Sequence, residues 1–366
     1  MASARPAIHV VEKNPYAPRP YVFSEVAVCL RDAIRAAGYD SELLHNRIDP
    51  QAFSIVLGIW PDKVGELEHL DPRRCAVFNF EQLGSTSTIA GPEYRRWLAG
   101  WLVLDYHGSN IEVLRRENGS HQLAFELPLV PSPGLQTSGD EAKDIDVLFY
   151  GTMSERRSQV LRQLEAMGLK VEAVAGAYGP ELAPAIRRAK LVLHVHFYES
   201  GLFPVARIVQ PVIMGVPVVC EDSVFSELND WSHSGIVFAD YAHLAEACRD
   251  LLEAPDRMAV RARMARAYVR EIDFATPFAR VVRAFDALAH GAPAAAPAPA
   301  GDHALSDEEI ARILEEEGAE LPPEADAPVP PVKMVERQPG KGPYGKWVLA
   351  VLIVFSFYTI WLSMRG

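Results

Sequence analysis

The fold is decided by Val171–Asp222, which reads VEAVAGAYGPELAPAIRRAKLVLHVHFYESGLFPVARIVQPVIMGVPVVCED. Short runs of β-branched residues predict strands in this stretch, and apolar residues at helical spacing predict helices between them. The predicted elements are strand Val171–Val174, helix Pro180–Lys190, strand Leu191–Val195, helix Arg207–Met214 and strand Gly215–Val219. Strands that alternate with helices at this spacing form parallel β-α-β units, so the stretch predicts an α/β fold.

Two short motifs stand at fixed places in this alternation. Tyr198-Glu199-Ser200-Gly201 follows a buried strand, and Gly215-Val216-Pro217-Val218-Val219 ends the next helix. This order resembles the nucleotide-sugar half of GT-B glycosyltransferases, which have two Rossmann-like domains. The resemblance covers Ile145–Asp222 well and the preceding half in outline.

One residue departs from the family pattern. Retaining members of the group carry a second glutamate eight positions after the first, where it usually binds the donor ribose. Eight positions after Glu199 stands Arg207, which cannot accept a hydrogen bond from a hydroxyl but pairs with phosphate or carboxylate. Three readings stay open: altered donor recognition, an arginine that faces elsewhere, or a decayed site.

The resemblance also implies where a nucleotide sugar binds. Gly151 ends the predicted strand Asp146–Tyr150, and Ser154 is placed to cap a helix over Glu155–Met167, whose free N–H groups favour an anion. Two arginines in the first turn of that helix indicate an anionic ligand or are ordinary surface residues. Base and ribose are expected near Gly176 and Tyr178, unless that stretch is only a turn. The implied donor-binding residues are Gly151, Thr152, Arg156, Arg157, Gly176, Tyr178, Ser200, Gly201 and Arg207.

The N-terminal half repeats the alternation of strands and helices. Predicted strands are Ala7–Val11, Ser41–His45, Ala52–Trp60, Cys75–Phe80 and Trp101–Asp105, and predicted helices are Glu25–Ala37, Tyr94–Ala99 and Asn110–Glu117. We therefore predict two Rossmann-like domains of GT-B type: an acceptor domain over 1–138 and a donor domain over 139–290. The resemblance to GT-B glycosyltransferases further implies that the last helices cross back onto the first domain.

Candidate catalytic residues come from both halves. Glu199 would face the sugar, or it caps a helix. An acceptor base would come from polar residues that follow predicted strands of the first domain: Glu81, His107, Ser109 and Asn110. Glu81 and His107 are the preferred pair. The family reaction uses no metal, because positive groups and helix N-termini stabilise the departing nucleoside diphosphate, so no cofactor is expected beyond the nucleotide-sugar substrate.

Other polar clusters carry weaker signals. His194 and His196 alternate on one strand face and are either a metal pair or, more simply, buried hydrogen-bonded histidines. Cys29, Cys75, Cys220 and Cys248 are far apart in sequence and show no metal or disulfide spacing. They are expected to be reduced core thiols.

The charge of the chain is concentrated in one segment. The net charge is −12, and residues 302–326 hold ten acidic residues against one arginine. The globular part is thus nearly neutral, and the acidic balance argues against nucleic acid as a partner. We predict a disordered Pro/Ala-rich acidic linker over 291–345. Within this linker, one helical face would carry Ile310, Ile313 and Leu314. The segment is expected to be a transient helix or a short interaction helix.

The C-terminal region contains an uncharged apolar run. Trp347–Met364 has 18 residues, which cover roughly 27 Å as a helix, close to one bilayer core. Basic residues precede the run and only Arg365 follows it, so the positive-inside rule places the body in the cytoplasm. We predict a single transmembrane helix over 346–364, with the lipid bilayer as a partner.

These features favour a membrane-tethered glycosyltransferase of the hexosyltransferase class. It would move a sugar from a nucleotide sugar to a lipid-linked or cell-envelope glycan. The alternative is a non-catalytic GT-B-like interaction module at a membrane, for which Arg207 is the main support. A nucleotide-sugar epimerase fits less well, because Gly-x-Gly-x-x-Gly does not follow the first strand.

Overall fold

The computed structural model describes residues 6–14, 21–59, 70–85, 90–119, 122–137, 139, 141–198 and 200–290. Glu199, the predicted linker and the predicted transmembrane helix lie outside these residues. None of the helices described within 6–290 is long and apolar enough to cross a bilayer.

The first half contains a six-stranded sheet. Its elements are β1 (Ile8–Glu12), α1 (Ser24–Ala36), β2 (Leu43–His45), β3 (Phe53–Leu57), β4 (Cys75–Asn79), α2 (Pro92–Leu98), β5 (Leu102–Asp105), α3 (Gly108–Asn118) and β6 (Ala124–Glu126). The strand order is β2-β1-β3-β4-β5-β6, and each neighbouring pair is parallel. Strands β1, β3 and β4 are buried along their whole length because helices cover both faces of the sheet.

The second half contains a five-stranded parallel sheet. Its elements are β7 (Ile145–Tyr150), α4 (Glu155–Ala166), β8 (Val171–Val174), α5 (Ala183–Arg188), β9 (Ala189–His194), α6 (Val205–Ile213), β10 (Val218–Glu221), β11 (Val237–Ala239), α7 (Leu244–Leu252), α8 (Pro255–Tyr268) and α9 (Ala275–His290). The order is β11-β10-β9-β7-β8. All its neighbouring strands are parallel, as the alternation predicts.

Two elements differ from the prediction. The helix expected over Pro180–Lys190 is shorter, because Ala189 already pairs with Ile145 in the sheet. The sixth strand of the first sheet, β6, was missed, since three residues give too little alternation to be recognised.

One of the buried hydrophobic clusters contains residues of both halves. As predicted, the last helix crosses back: Phe285 of α9 stacks on Phe53 of β3 with ring centroids 4.6 Å apart. Asn229 of the second half donates to the Tyr106 carbonyl of the first at 2.8 Å. The chain changes sheets between β6 and β7, and the boundary at 138 itself stays a prediction. The four cysteines are free and buried, as predicted.

Candidate active site

A cavity of about 390 Å³ lies between the two sheets. Residues from the carboxyl ends of β4, β5, β7 and β9 line it, together with the first turns of α1 and α6. Ligands of doubly wound folds bind at this edge of a sheet. A cavity walled by both halves can hold a donor on one side and an acceptor on the other.

Arg157 supplies the first cation of the wall. Its side chain is 2% exposed, Nε donates to the Val195 carbonyl at 2.9 Å, and Nη1 donates to the Thr152 carbonyl at 2.6 Å. Burial, followed by the fields of Arg207 and Arg156, lowers its pKa to about 10. Arg157 therefore stays charged at neutral pH, in a place that costs energy unless an anion is near.

Arg207 supplies the second cation from the first turn of α6. Its Nη1 lies 3.3 Å from the Tyr150 carbonyl oxygen and only 2.6 Å from where a β-carbon on Gly151 would be. Gly151 has φ +126°, a conformation that few other residues adopt. Both the backbone conformation and the nearby guanidinium therefore require a glycine at position 151. Arg207 lines the cavity, so the reading in which it faces elsewhere is wrong.

Neither arginine forms a salt bridge with a carboxylate among the described residues. Burial raises the pKa of the Glu25 carboxyl, although the charge of Arg207 acts to lower it. The two guanidinium groups donate to the carbonyls of Tyr150 and Thr152, the chain neighbours of Gly151, and residues of the first turn of α6 line the same cavity. The arrangement favours a ligand with at least one phosphate.

The neighbouring Arg156 has a different role. It forms a bidentate salt bridge with Glu221, and its guanidinium lies 3.9 Å from the Tyr241 ring centroid. Its carbonyl accepts a hydrogen bond from Tyr241 Oη at 2.8 Å. Arg156 is not among the residues that line the cavity, and its predicted role in donor binding stays a prediction.

The two histidines of β9 and the turn after it both line the cavity. His196 Nε2 donates to the Asp222 carbonyl at 3.1 Å, as expected of a buried histidine. His194 is 5% exposed and has no hydrogen-bond partner among the described residues, contrary to expectation. Burial, His196 and three arginines hold the pKa of His194 well below its usual value, so it is neutral at pH 7. The described residues contain no group of three possible metal ligands.

The far end of the second-half wall carries hydrogen-bond acceptors. Gly176 and Tyr178 line the cavity as predicted. Gln210 Nε2 donates to the Gly179 carbonyl at 3.0 Å, whereas its Oε1 is buried without a donor among the described residues. Glu25 accepts a hydrogen bond from the Gly179 amide across the two halves. A ligand with hydroxyl or N–H groups would suit this end.

The first-half wall contains Glu81, at the end of β4. Burial alone raises the pKa of its carboxyl, which is the shift that suits a general base or acid near neutral pH. Its neighbour Gln82 is hydrogen-bonded to Ser200 of the second half. Ser200 and Gly201 thus lie in the turn that joins the walls, outside the cavity lining.

His107 does not line the cavity. Its Nε2 donates to the Val224 carbonyl at 3.1 Å, and Nδ1 accepts from Ser109 at the start of α3. Asn110 donates to the buried carboxylate of Asp105 at 3.0 Å. These residues hold β5 and α3 together, and a catalytic role for His107 stays an untested prediction.

The cavity residues that sequence reasoning missed include Glu25, His194 as a ligand contact, and Gln210. Glu25 could have been found as an acidic residue in the first helical turn after β1, where a carboxyl edge is expected. Gln210 lies one helical turn after Arg207, so it shares that face of α6.

No protein-family model matches the chain. Two uncharacterised proteins of Acanthamoeba polyphaga mimivirus are similar to it. L138 is 33% identical over 105 residues, 28% of this chain and 12% of L138, and L140 is 24% identical over 176 residues, 46% of this chain and 58% of L140. The chain therefore spans less than two thirds of either relative.

Among solved structures, WaaG is similar to this chain. It is a glycosyltransferase involved in lipopolysaccharide biosynthesis, and it matches with a TM-score of 0.50 at 12% identity, over 78% of this chain and 100% of WaaG. At that identity the likeness establishes the fold alone. The predicted pair of parallel α/β sheets, arranged as in GT-B glycosyltransferases, is thereby confirmed.

Proposed function

We propose that this chain is a membrane-tethered glycosyltransferase that moves a sugar from a nucleotide sugar to a cell-envelope or lipid-linked glycan. The observation that carries the proposal is that Arg157 and Arg207 donate to the carbonyls of the chain neighbours of Gly151, in a cavity walled by both halves. The GT-B-like fold supports it, and so does the role of WaaG in lipopolysaccharide biosynthesis, from which the acceptor class is inferred.

In the proposed reaction the two arginines hold the donor diphosphate. As the bond from the sugar to the diphosphate breaks, negative charge grows on the departing phosphate oxygen. Guanidinium groups already fixed there stabilise that charge more than they stabilise the intact donor. His194, neutral and buried beside them, donates one further N–H to the same group.

Glu81 faces this site from the other half. We assign it the proton of the acceptor hydroxyl, because its raised pKa favours proton transfer near neutral pH. The predicted contact of Glu199 with the sugar stays part of the proposal, and this residue lies outside the described residues.

Nucleotide binding is tested on the full chain in detergent by thermal shift against UDP, GDP, ADP and their glucose conjugates. A ligand at 100 times its Kd stabilises by about 2.7 kcal/mol, which moves the midpoint by several degrees. Failure of every nucleotide to stabilise the protein would refute the proposal.

Catalysis is tested by release of nucleoside diphosphate in the presence of membrane glycolipids. We expect Glu81→Gln to abolish turnover and to preserve nucleotide binding. Glu93→Gln, on the exposed side of α2, is the matched control. If nucleotide binds but neither wild type nor the control turns over with any acceptor, the alternative of a non-catalytic interaction module gains support.

The membrane part of the proposal depends on the apolar run over residues 347–364. We expect the full chain to resist carbonate extraction from membranes and a variant without residues 346–366 to be released. Protease added to the outside of intact cells should leave the body untouched. Release of the full chain by carbonate would contradict the anchor and leave the transferase proposal standing.

A further inference from the structure

Helix α8 has an unusual surface. It buries only Ala265 in the body of the protein. Val260 and Met264 are 43% and 42% exposed, and they are two of the five large apolar side chains that are exposed among the described residues. Because they are four positions apart, they form one apolar stripe along the helix.

Arginines flank this stripe. Arg257 and Arg263 are exposed, and neither forms a salt bridge or hydrogen bond with any described residue. Two other exposed arginines are paired with carboxylates: Arg162 with Glu155, and Arg249 with Asp250. We name Arg257, Val260, Arg263 and Met264 the α8 patch. An occupant that is both apolar and acidic would complement this patch.

The chain itself contains such a segment. Residues 306–317 read SDEEIARILEEE, with six acidic residues and one arginine. Ile310, Ile313 and Leu314 fall on one face of a helix, and glutamates border that face at both ends. This pattern matches the α8 patch in polarity and opposes it in charge.

The connection is long enough for the two to meet. About 15 residues of mostly alanine and proline separate His290, the end of α9, from Ser306. An extended chain of that composition spans up to about 46 Å, of the order of the combined lengths of α8 and α9. A linker of this length gives a local concentration in the millimolar range, so a weak contact is enough.

We propose that the α8 patch is the docking site of residues 306–317 of the same chain. The acidic segment lies with its isoleucines and leucine against Val260 and Met264, and its carboxylates pair with Arg257 and Arg263. The inference does not depend on the proposed transferase activity.

The experiment uses the full chain in detergent with a donor dye at Ala259→Cys and an acceptor dye at Ala311→Cys. The four native cysteines are buried, so labelling is selective. We expect high energy transfer at low salt and a marked loss at 0.5 M NaCl, because exposed ion pairs are screened.

Charge reversal provides the decisive comparison. Arg257→Glu with Arg263→Glu should lower the ratio of docked to undocked protein roughly fivefold. Glu309→Arg with Glu316→Arg should do the same. The combined variant restores transfer. A combined variant that transfers no better than either parent overturns the proposal.

Two further measurements separate docking of the acidic segment from a general charge effect and from lipid binding. Arg96→Glu with Arg116→Glu changes the net charge equally on exposed sites of α2 and α3, and it should leave energy transfer unchanged. Vesicles of phosphatidylcholine with phosphatidylserine test a lipid occupant. If vesicles bind to the α8 patch and neither charge reversal alters energy transfer, the patch binds lipid and the proposal is wrong.

Discussion

The replacement of Arg207 by methionine gives the sharpest test of the proposed anion site. Methionine keeps the apolar stem of the side chain and removes the guanidinium. The backbone carbonyl of Arg207, which accepts a hydrogen bond from Tyr150, is unaffected. We expect Arg207→Met to weaken UDP binding without destabilising the protein.

The magnitude follows from the contacts. A charge-assisted hydrogen bond contributes about 1.5–3 kcal/mol, so the Kd for UDP should rise roughly 10- to 150-fold. The ligand-free protein should keep its free energy of unfolding within about 1 kcal/mol. Removal of Arg207 costs a long 3.3 Å hydrogen bond to Tyr150, but it relieves the repulsion that lowers the pKa of Arg157.

Isothermal titration calorimetry measures the affinity, and chemical denaturation measures the stability. Arg162→Met is the matched control, since that arginine lies on α4, pairs with Glu155 and does not line the cavity. Equal affinity in Arg207→Met and wild type, within about twofold, would refute the assignment. A large loss of stability without ligand would show a structural role instead.

Three further outcomes are expected. Gly151→Ala should weaken UDP binding about tenfold, because the new methyl group would lie 2.6 Å from Arg207 Nη1 and displace the guanidinium. In a double-mutant cycle with Arg207→Met the two losses of affinity should not add, and additive losses would contradict this explanation. UDP should raise the pKa of His194, followed by NMR of its ring protons, since a bound anion offsets the arginine fields; an unchanged pKa would exclude contact. Burial raises the pKa of Glu12 from 4.5 to about 7. The protonated carboxyl therefore contributes to stability below pH 4.5, and this contribution is lost as the pH rises to 7. In urea titrations, the free energy of unfolding of Glu12→Gln should decline less over this pH range than that of wild type.

Much of the fold could be predicted because parallel strands buried on both faces leave a strong signal. The strand and helix alternation of Val171–Asp222 corresponds to β8, α5, β9, α6 and β10. Errors arose where a local pattern competes with a distant pairing. Ala189 fits the helical spacing before it, but its pairing with Ile145, 44 positions away, places it in a strand.

The site was predicted less completely, because a sequence does not fix the rotation of a helix about its axis. Arg156 and Arg157 are adjacent, yet they point about 100° apart on α4. The burial of Val160, Leu161 and Leu164 sets that rotation and turns Arg157 toward the cavity. Glu25 could not be connected with the donor half, since its partner Gly179 lies 154 positions away.

The electrostatics of the cavity favour one class of ligand over others. Burial works against the charged form of several ionisable groups in the wall; among them, it lowers the pKa of Arg157 and His194 and raises that of Glu25 and Glu81. An anion beside the arginines relieves the first effect. Hydroxyl groups at the other end of the cavity offset the burial of the carboxyl groups, because they donate hydrogen bonds to carboxylates. They can also donate to Gln210 Oε1, which is buried without a donor among the described residues. A simple phosphate meets the first requirement and a neutral sugar the second, whereas a nucleotide sugar meets both. UDP-glucose should therefore stabilise the chain more than inorganic pyrophosphate or glucose at equal concentration, and equal stabilisation by pyrophosphate would contradict the argument.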